Sequence, residues 1–197
     1  MRKVIAAINV TLDGFCDHTA MIADDELHEH YNELLRNAGV LLYGRKTYQL
    51  MESFWPGIVK KPSGNKPIDD FAVLIDDIPK IVFSRTLKGS DIVWKNTSLA
   101  SSDLPGTVSE LKQQEGKPIF AGSPSLIVAL SNLGMVDEYQ LCVQPILLGQ
   151  GLSLFKNINE RIDLKLINTK HFNSGSMVLY YERRKNSENN EGRIRID

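Results

Sequence analysis

Apolar positions along this chain gather in short runs. KVIAAINV (3–10), VLLY (40–43), KIVFS (80–84), DIVW (91–94) and KPIFA (117–121) come first, and DEYQLCVQPIL (137–147), IDLKLINTKHF (162–172) and SMVLYYER (176–183) follow. Several are almost continuously apolar, the pattern of strands covered on both faces. Helical spacing separates the early runs. Leu27, Tyr31, Leu34 and Leu35 recur at helical intervals in 24–36, behind Asp24 and Asp25, whose charge suits the positive end of a helix dipole. Residues 46–54, 68–76 and 125–133 read as further helices, the last ending at Gly134. Strands alternating with helices predict an α/β fold with a largely parallel sheet. From Asp137 onward strands succeed one another without a helix, and Asn173-Ser174-Gly175 makes a tight turn, so an antiparallel C-terminal edge is predicted.

A length of 197 residues suits one domain, expected over 1–184, with the polar, aromatic-free 185–197 as a disordered tail. The 56–67 stretch, rich in Pro, Gly and Lys, reads as a loop, either a lid beside the second helix or a solvated connection. A formal net charge of −1 gives no electrostatic footprint for nucleic acid, so no nucleic-acid partner is expected. Cys16 and Cys142 make neither a metal-ligand spacing nor a disulfide framework, which suits a reducing cytoplasm. The N-terminal segment lacks a signal-peptide pattern, and no apolar run is long enough to cross a bilayer.

The candidate chemistry begins at GVLLYGRKTY. Gly39-x-x-x-x-Gly44 has phosphate-loop spacing, but that motif needs Lys and then Ser or Thr after its second glycine, where this chain has Arg45 and Lys46. Its spacer reads as a buried strand instead. A glycine ending such a strand, followed by a helix start with Arg45, Lys46 and Thr47, is suited to an anion. KIVFS likewise runs into Ser84-Arg85-Thr86, and KPIFA into Ala121-Gly122-Ser123-Pro124-Ser125 before another helix. Ligands of α/β sheets bind outside the carboxyl ends of the strands. Three such ends on one edge therefore point to one extended, phosphate-bearing ligand, and a dinucleotide fits.

AAINVTLDGF, GRKTY, VFSRTL, FAGSPSL and PILLGQGLSLF, in that order, resemble the dihydrofolate reductase-like superfamily. The chain is most similar to the branch containing the C-terminal reductase domain of the bacterial bifunctional riboflavin-biosynthesis deaminase/reductase, over residues 1–183. A zinc-deaminase signature is absent, so a stand-alone reductase domain is expected. The resemblance implies a mostly parallel sheet of about eight strands that binds NADPH. Gly44, Arg45, Lys46 and Thr47 would meet the cofactor phosphates, and Ser84, Arg85 and Thr86 the adenosine 2′-phosphate. Ala121, Gly122, Ser123, Pro124, Ser125 and Leu126 would cradle the pyrophosphate, with Ala7 against the nicotinamide. Relatives often carry two adjacent glycines where this chain has Gly122-Ser123, a substitution that would strain an unusual backbone. Homodimerisation is also implied.

The loop after the first strand, Asn9, Asp13, Gly14 and Phe15 among its residues, resembles the substrate-facing loop of that family. Asp13 is the catalytic candidate, holding substrate hydroxyls or handling a proton; an ordinary Asp-Gly turn is the other reading. Phe54 and Trp55 are candidates for a pocket wall, or for plain packing. No metal site is expected: His28-Glu29-His30 lacks zinc-protease spacing and reads as a solvated face. The expected activity is NADPH-dependent reduction of a small heterocyclic or sugar-linked substrate, foremost the ribosyl group of 5-amino-6-(5-phosphoribosylamino)uracil. The alternatives are dihydrofolate reduction and a non-catalytic nucleotide-binding or interaction module.

Overall fold

Val4–Thr11 (β1) is buried at seven of its eight positions, as a strand with helices on both faces must be. Its alternation sorts the core into two layers. Val4, Ala6, Ile8 and Val10 pack with Leu126, Ile127 and Leu130 on one face. Ile5 and Ala7 pack with Leu34, Leu35, Phe71 and Ile75 on the other. The computed structural model describes residues 1–17 and 21–184. The tail expected at 185–197 lies outside the described residues.

After β1 come α1 (Asp25–Arg36), β2 (Val40–Gly44), α2 (Arg45–Glu52), α3 (Trp55–Lys60), α4 (Lys66–Asp77), β3 (Lys80–Phe83), β4 (Thr97–Leu99), α5 (Leu104–Gln113), β5 (Ile119–Ala121), α6 (Pro124–Asn132), β6 (Glu138–Gln144), β7 (Leu164–His171) and β8 (Met177–Arg183). They form one eight-stranded sheet in the order β4-β3-β2-β5-β1-β6-β8-β7. Strands β1 to β6 pair in parallel, while β8 runs antiparallel to both β6 and β7. The β7–β8 hairpin turns at Gly175, whose φ of 86° is left-handed and suits glycine. The mostly parallel sheet and its antiparallel C-terminal edge are therefore as expected.

Three local expectations are corrected. DIVW is not a strand: Trp94 is buried with its indole N–H on Asp76, and Thr97–Leu99 forms the edge strand instead. The second helix stops at Glu52 rather than continuing to Phe54. The first half of the 56–67 loop is helical, with Pro at the start of α3, where a missing N–H costs nothing. Helix α5 adds an element in a segment for which no element was predicted; Asp103 caps it by accepting the Gly106 N–H. Among the described residues no helix is long and apolar enough to cross a membrane.

Candidate functional site

Because β3, β2, β5 and β1 are neighbours and parallel, their carboxyl ends share one rim. Gly44 stands level with Phe83, Leu42 with Ala121, and Ala6 with Ala121. Gly44, with Ser84, Gly122 and Ala7, the residues that follow Phe83, Ala121 and Ala6, therefore lie in turn across that rim. Five helix N-termini lie on that side, since α1, α2, α5 and α6 each come after a strand, and α4 runs into the start of β3. Helices α1, α4 and α5 are capped by Asp24, Asn65 and Asp103. Helices α2 and α6 have no side-chain cap, so their first N–H groups are available to an anion.

The β2 and β5 ends are joined. The Gly44 N–H donates to the Ser123 hydroxyl at 2.9 Å, a buried bond between residues 79 apart in sequence. A Cβ on Gly44 would come within 3.3 Å of Ser125 Oγ, a tight contact that the exposed serine side chain would have to give way to. Ser123 has an ordinary extended backbone, φ −101° and ψ 126°, and carries none of the strain anticipated for a serine there. A Cβ on Gly122 would make only an ordinary 3.6 Å contact with the Ala7 carbonyl, which leaves the space before it open to a ligand.

Arg45 and Lys46 are exposed, Thr47 is half-buried, and neither cation makes an ion pair among the described residues. The Ser84 hydroxyl accepts from the Thr86 and Leu87 N–H groups and folds the turn that presents Arg85, also exposed and unpaired among the described residues. Pro124 starts α6, with Ser125 exposed and Leu126 buried behind it. The geometry and its free donors fit an extended phosphate-bearing ligand.

At the end of β1, Gly14 has a φ of 86°, and Asp13-Gly14 is a tight turn closed by the Gly14 N–H on the Thr11 carbonyl. One Asp13 oxygen accepts the Thr11 hydroxyl at 2.6 Å, and the other accepts the Leu148 and Gly149 N–H groups at 2.9 and 2.7 Å. The Thr11 hydroxyl foremost, then the Gly149 N–H, hold its carboxyl below the usual carboxylate range. Asp13 is thus an ionised clasp between two loops and has no proton to give at neutral pH. Phe15 bridges Ser153 in the same pair of loops.

Asn9 leads to a network that the sequence did not disclose. Its side-chain oxygen accepts from the fully buried Gln144 amide, and Gln144 Oε1 accepts the Ser176 hydroxyl at 3.0 Å. Trp55 packs on Phe71, with ring centroids 4.4 Å apart, while Phe54 is exposed. Among the described residues no hydrogen bond or ring contact joins Phe54 or Trp55 to the loop after β1.

The solvated-face reading of the α1 histidines is corrected: His30 is buried between Tyr31 and Phe172, and His28 Nδ1 meets the Asp24 carbonyl. Among the described residues no three His, Cys, Asp or Glu side chains are grouped to hold a metal. Burial pushes the Cys16 thiol up to about 11 and Cys142 up to about 12, so neither is a thiolate at neutral pH. Cavities of about 460 and 210 Å³ lie at the opposite rim, near the strand starts. The carboxyl rim is still the candidate site, because ligands of α/β sheets bind in the crevice outside the carboxyl ends of the strands.

A twisted, mostly parallel sheet closed by an antiparallel strand, with these turns along one rim, is the dihydrofolate reductase-like fold. The RibD C-terminal domain family matches residues 2–179, and the chain belongs to that family. It is 32% identical to the uncharacterized protein YyaP of Bacillus subtilis (strain 168) over 186 residues, covering 91% of this chain and 94% of that protein. A protein from Shewanella sp. PV-4 assigned to riboflavin biosynthesis superposes with a TM-score of 0.73 at 18% identity, over 93% of this chain and 99% of the other. The diaminohydroxyphosphoribosylaminopyrimidine deaminase/5-amino-6-(5-phosphoribosylamino)uracil reductase of Thermotoga maritima superposes with a TM-score of 0.62 at 15% identity, over 93% of this chain and 57% of that one.

Proposed function

We propose that this RibD-type reductase domain binds NADPH along the carboxyl rim and reduces a small heterocyclic or sugar-linked substrate in the cytoplasm. The observation that carries the reading is the Gly44–Ser123 bond, which holds two uncapped helix starts side by side, with Arg45, Lys46 and Arg85 free to meet phosphate. Bound NADPH would supply a hydride from its nicotinamide.

The chain's share is orientation. The N–H groups of Arg45, Lys46 and Thr47 take one phosphate and those of Ser125 and Leu126 another, while Gly122 lets the pyrophosphate approach the backbone. Arg85, on the turn made by Ser84 and Thr86, pairs with the 2′-phosphate through its planar fork. The small side chain of Ala7 leaves room for a flat ring over β1. Asp13 positions rather than protonates: it ties the loop carrying Gly14 and Phe15 to the Leu148–Gly149 loop, and the two together face the substrate.

Reduction of the ribosyl group of 5-amino-6-(5-phosphoribosylamino)uracil is the leading reaction, the one named for the Thermotoga maritima neighbour. Folate is disfavoured, because the buried residues of α1 are Leu27, His30, Asn32, Leu34 and Leu35, with no carboxylate to hold a pterin. Self-association would use the outer strand β7, which exposes Leu166 and Ile167.

Titration with NADPH and NADH tests the reading. Arg85→Ala should weaken NADPH by about tenfold or more, the loss of a charge-assisted contact, and leave NADH unchanged. Equal affinities for the two dinucleotides in the parent protein would remove the role given to Arg85. NADPH oxidation with the pyrimidine intermediate and with dihydrofolate then separates the substrates, and tight binding without any oxidation would favour a non-catalytic module.

A further inference from the structure

At the opposite rim, where β2, β3 and β4 begin, the cavity of about 460 Å³ opens between the strand starts and the C-terminal end of α5. We propose that it binds a small organic anion, a phosphate or carboxylate on a compact apolar body, anchored by the Arg2 guanidinium. No residue is shared with the carboxyl-rim site.

Arg2 is only 9% exposed, yet its side chain makes a single hydrogen bond, Nε to the Lys117 carbonyl at 2.6 Å. Among the described residues no carboxylate pairs with it. A guanidinium has five N–H donors, and the two Nη groups, which keep contact with solvent, have no partner among the described residues and remain available to a ligand. Arg2 is one of the residues that line the cavity. Gly39 makes the position of its Nη groups possible, since a Cβ there would stand 2.6 Å from Nη2 and 2.8 Å from the Lys117 carbonyl.

The plainer account would have Arg2 cap the negative end of α5. That is done instead by its backbone: the Arg2 N–H donates to the Lys112 carbonyl at 3.0 Å, leaving the fork uncommitted. Lys80 also lines the cavity, but its ammonium is buried on the carbonyls of Ile75, Asp76 and Ile78, so Arg2 supplies the charge. The lining contains no carboxylate. Thr97, Ser98 and Gln114 offer hydroxyl and amide groups, and Val40, Ile81 and Leu111 give an apolar floor. The volume lies in the range of small-molecule sites, roughly 300–1,000 Å³.

The test is an NMR titration of the isotope-labelled full chain with inorganic phosphate and with phenyl phosphate. Saturable shifts are expected at the Gly39, Thr97, Ser98 and Gln114 amides, with phenyl phosphate the tighter ligand. Arg2→Met should weaken it about tenfold or more, and Arg2→Lys less, because charge remains but the fork is lost. Ser98→Tyr, on the exposed edge strand, should block the mouth without touching Arg2, and decides the matter if Arg2→Met does not fold. Shifts confined to Gly44, Arg45 and Ser125, an absence of saturation at millimolar phosphate, or unchanged affinity in the Met and Tyr variants would each overturn the proposal.

Discussion

Ser123→Ala removes one oxygen from a side chain that is 1% exposed, and with it the acceptor for the buried Gly44 N–H. An unpaired buried donor costs about 1–3 kcal/mol. Taking about 2 kcal/mol and a slope of roughly 2–4 °C per kcal/mol for a chain of this size, the melting temperature should fall by about 4–8 °C. Ser123→Gly should cost at least as much, because the extended φ of −101° gains nothing from glycine. Thermal melts give the magnitude, and hydrogen exchange gives the cause: Gly44 should lose protection while amides in the middle of β1 keep theirs. NADPH affinity should fall as well, since the two helix starts are no longer held together. An unchanged melt together with an unchanged Gly44 exchange rate would refute the idea that this hydroxyl joins the strand ends.

Two further outcomes are expected besides the dinucleotide selectivity of Arg85. Burial, with the Lys170 charge adding and Glu33 opposing, holds His30 down to about 4. Its contribution is complete above about pH 6.5 and is lost as the pH falls toward 4, because the unfolded chain takes up the proton first; the loss is at most about 3 kcal/mol. Denaturant melts between pH 7 and pH 4 should therefore fall less steeply for His30→Phe, and parallel slopes would count against the assignment. Asp13→Ala frees the Leu148 and Gly149 N–H groups, so their exchange should quicken and turnover should drop while NADPH affinity holds. Full turnover with a loosened loop would show that the clasp does not serve the substrate.

The parts of the site that follow from strand order were legible in the sequence. Glycine, hydroxyl and guanidinium residues placed just after VLLY, KIVFS and KPIFA had to meet at one rim once those runs became adjacent parallel strands. The Gly44–Ser123 bond was not legible, because it joins residues 79 apart and either could have faced a ligand instead. Nor was the fixed state of Asp13, since its partners are backbone groups of a distant loop with no side-chain signature. DIVW misled because a run that packs Trp94 over Lys80 and onto Asp76 has the composition of a strand, while the true edge strand, Thr97–Leu99, is too short and polar to announce itself. Pro and Gly at the start of α3 gave 56–67 the look of a loop, although at a first turn they are tolerated.

The position of β1 also bears on how the chain is made. Val4 pairs with Ile119, and Ile5 with Glu138, so the segment that emerges from the ribosome early has no partner until more than half the chain has followed. Until then an almost wholly apolar strand is open to strangers, which makes slow, chaperone-assisted maturation the expected cost of placing it at the centre of the sheet.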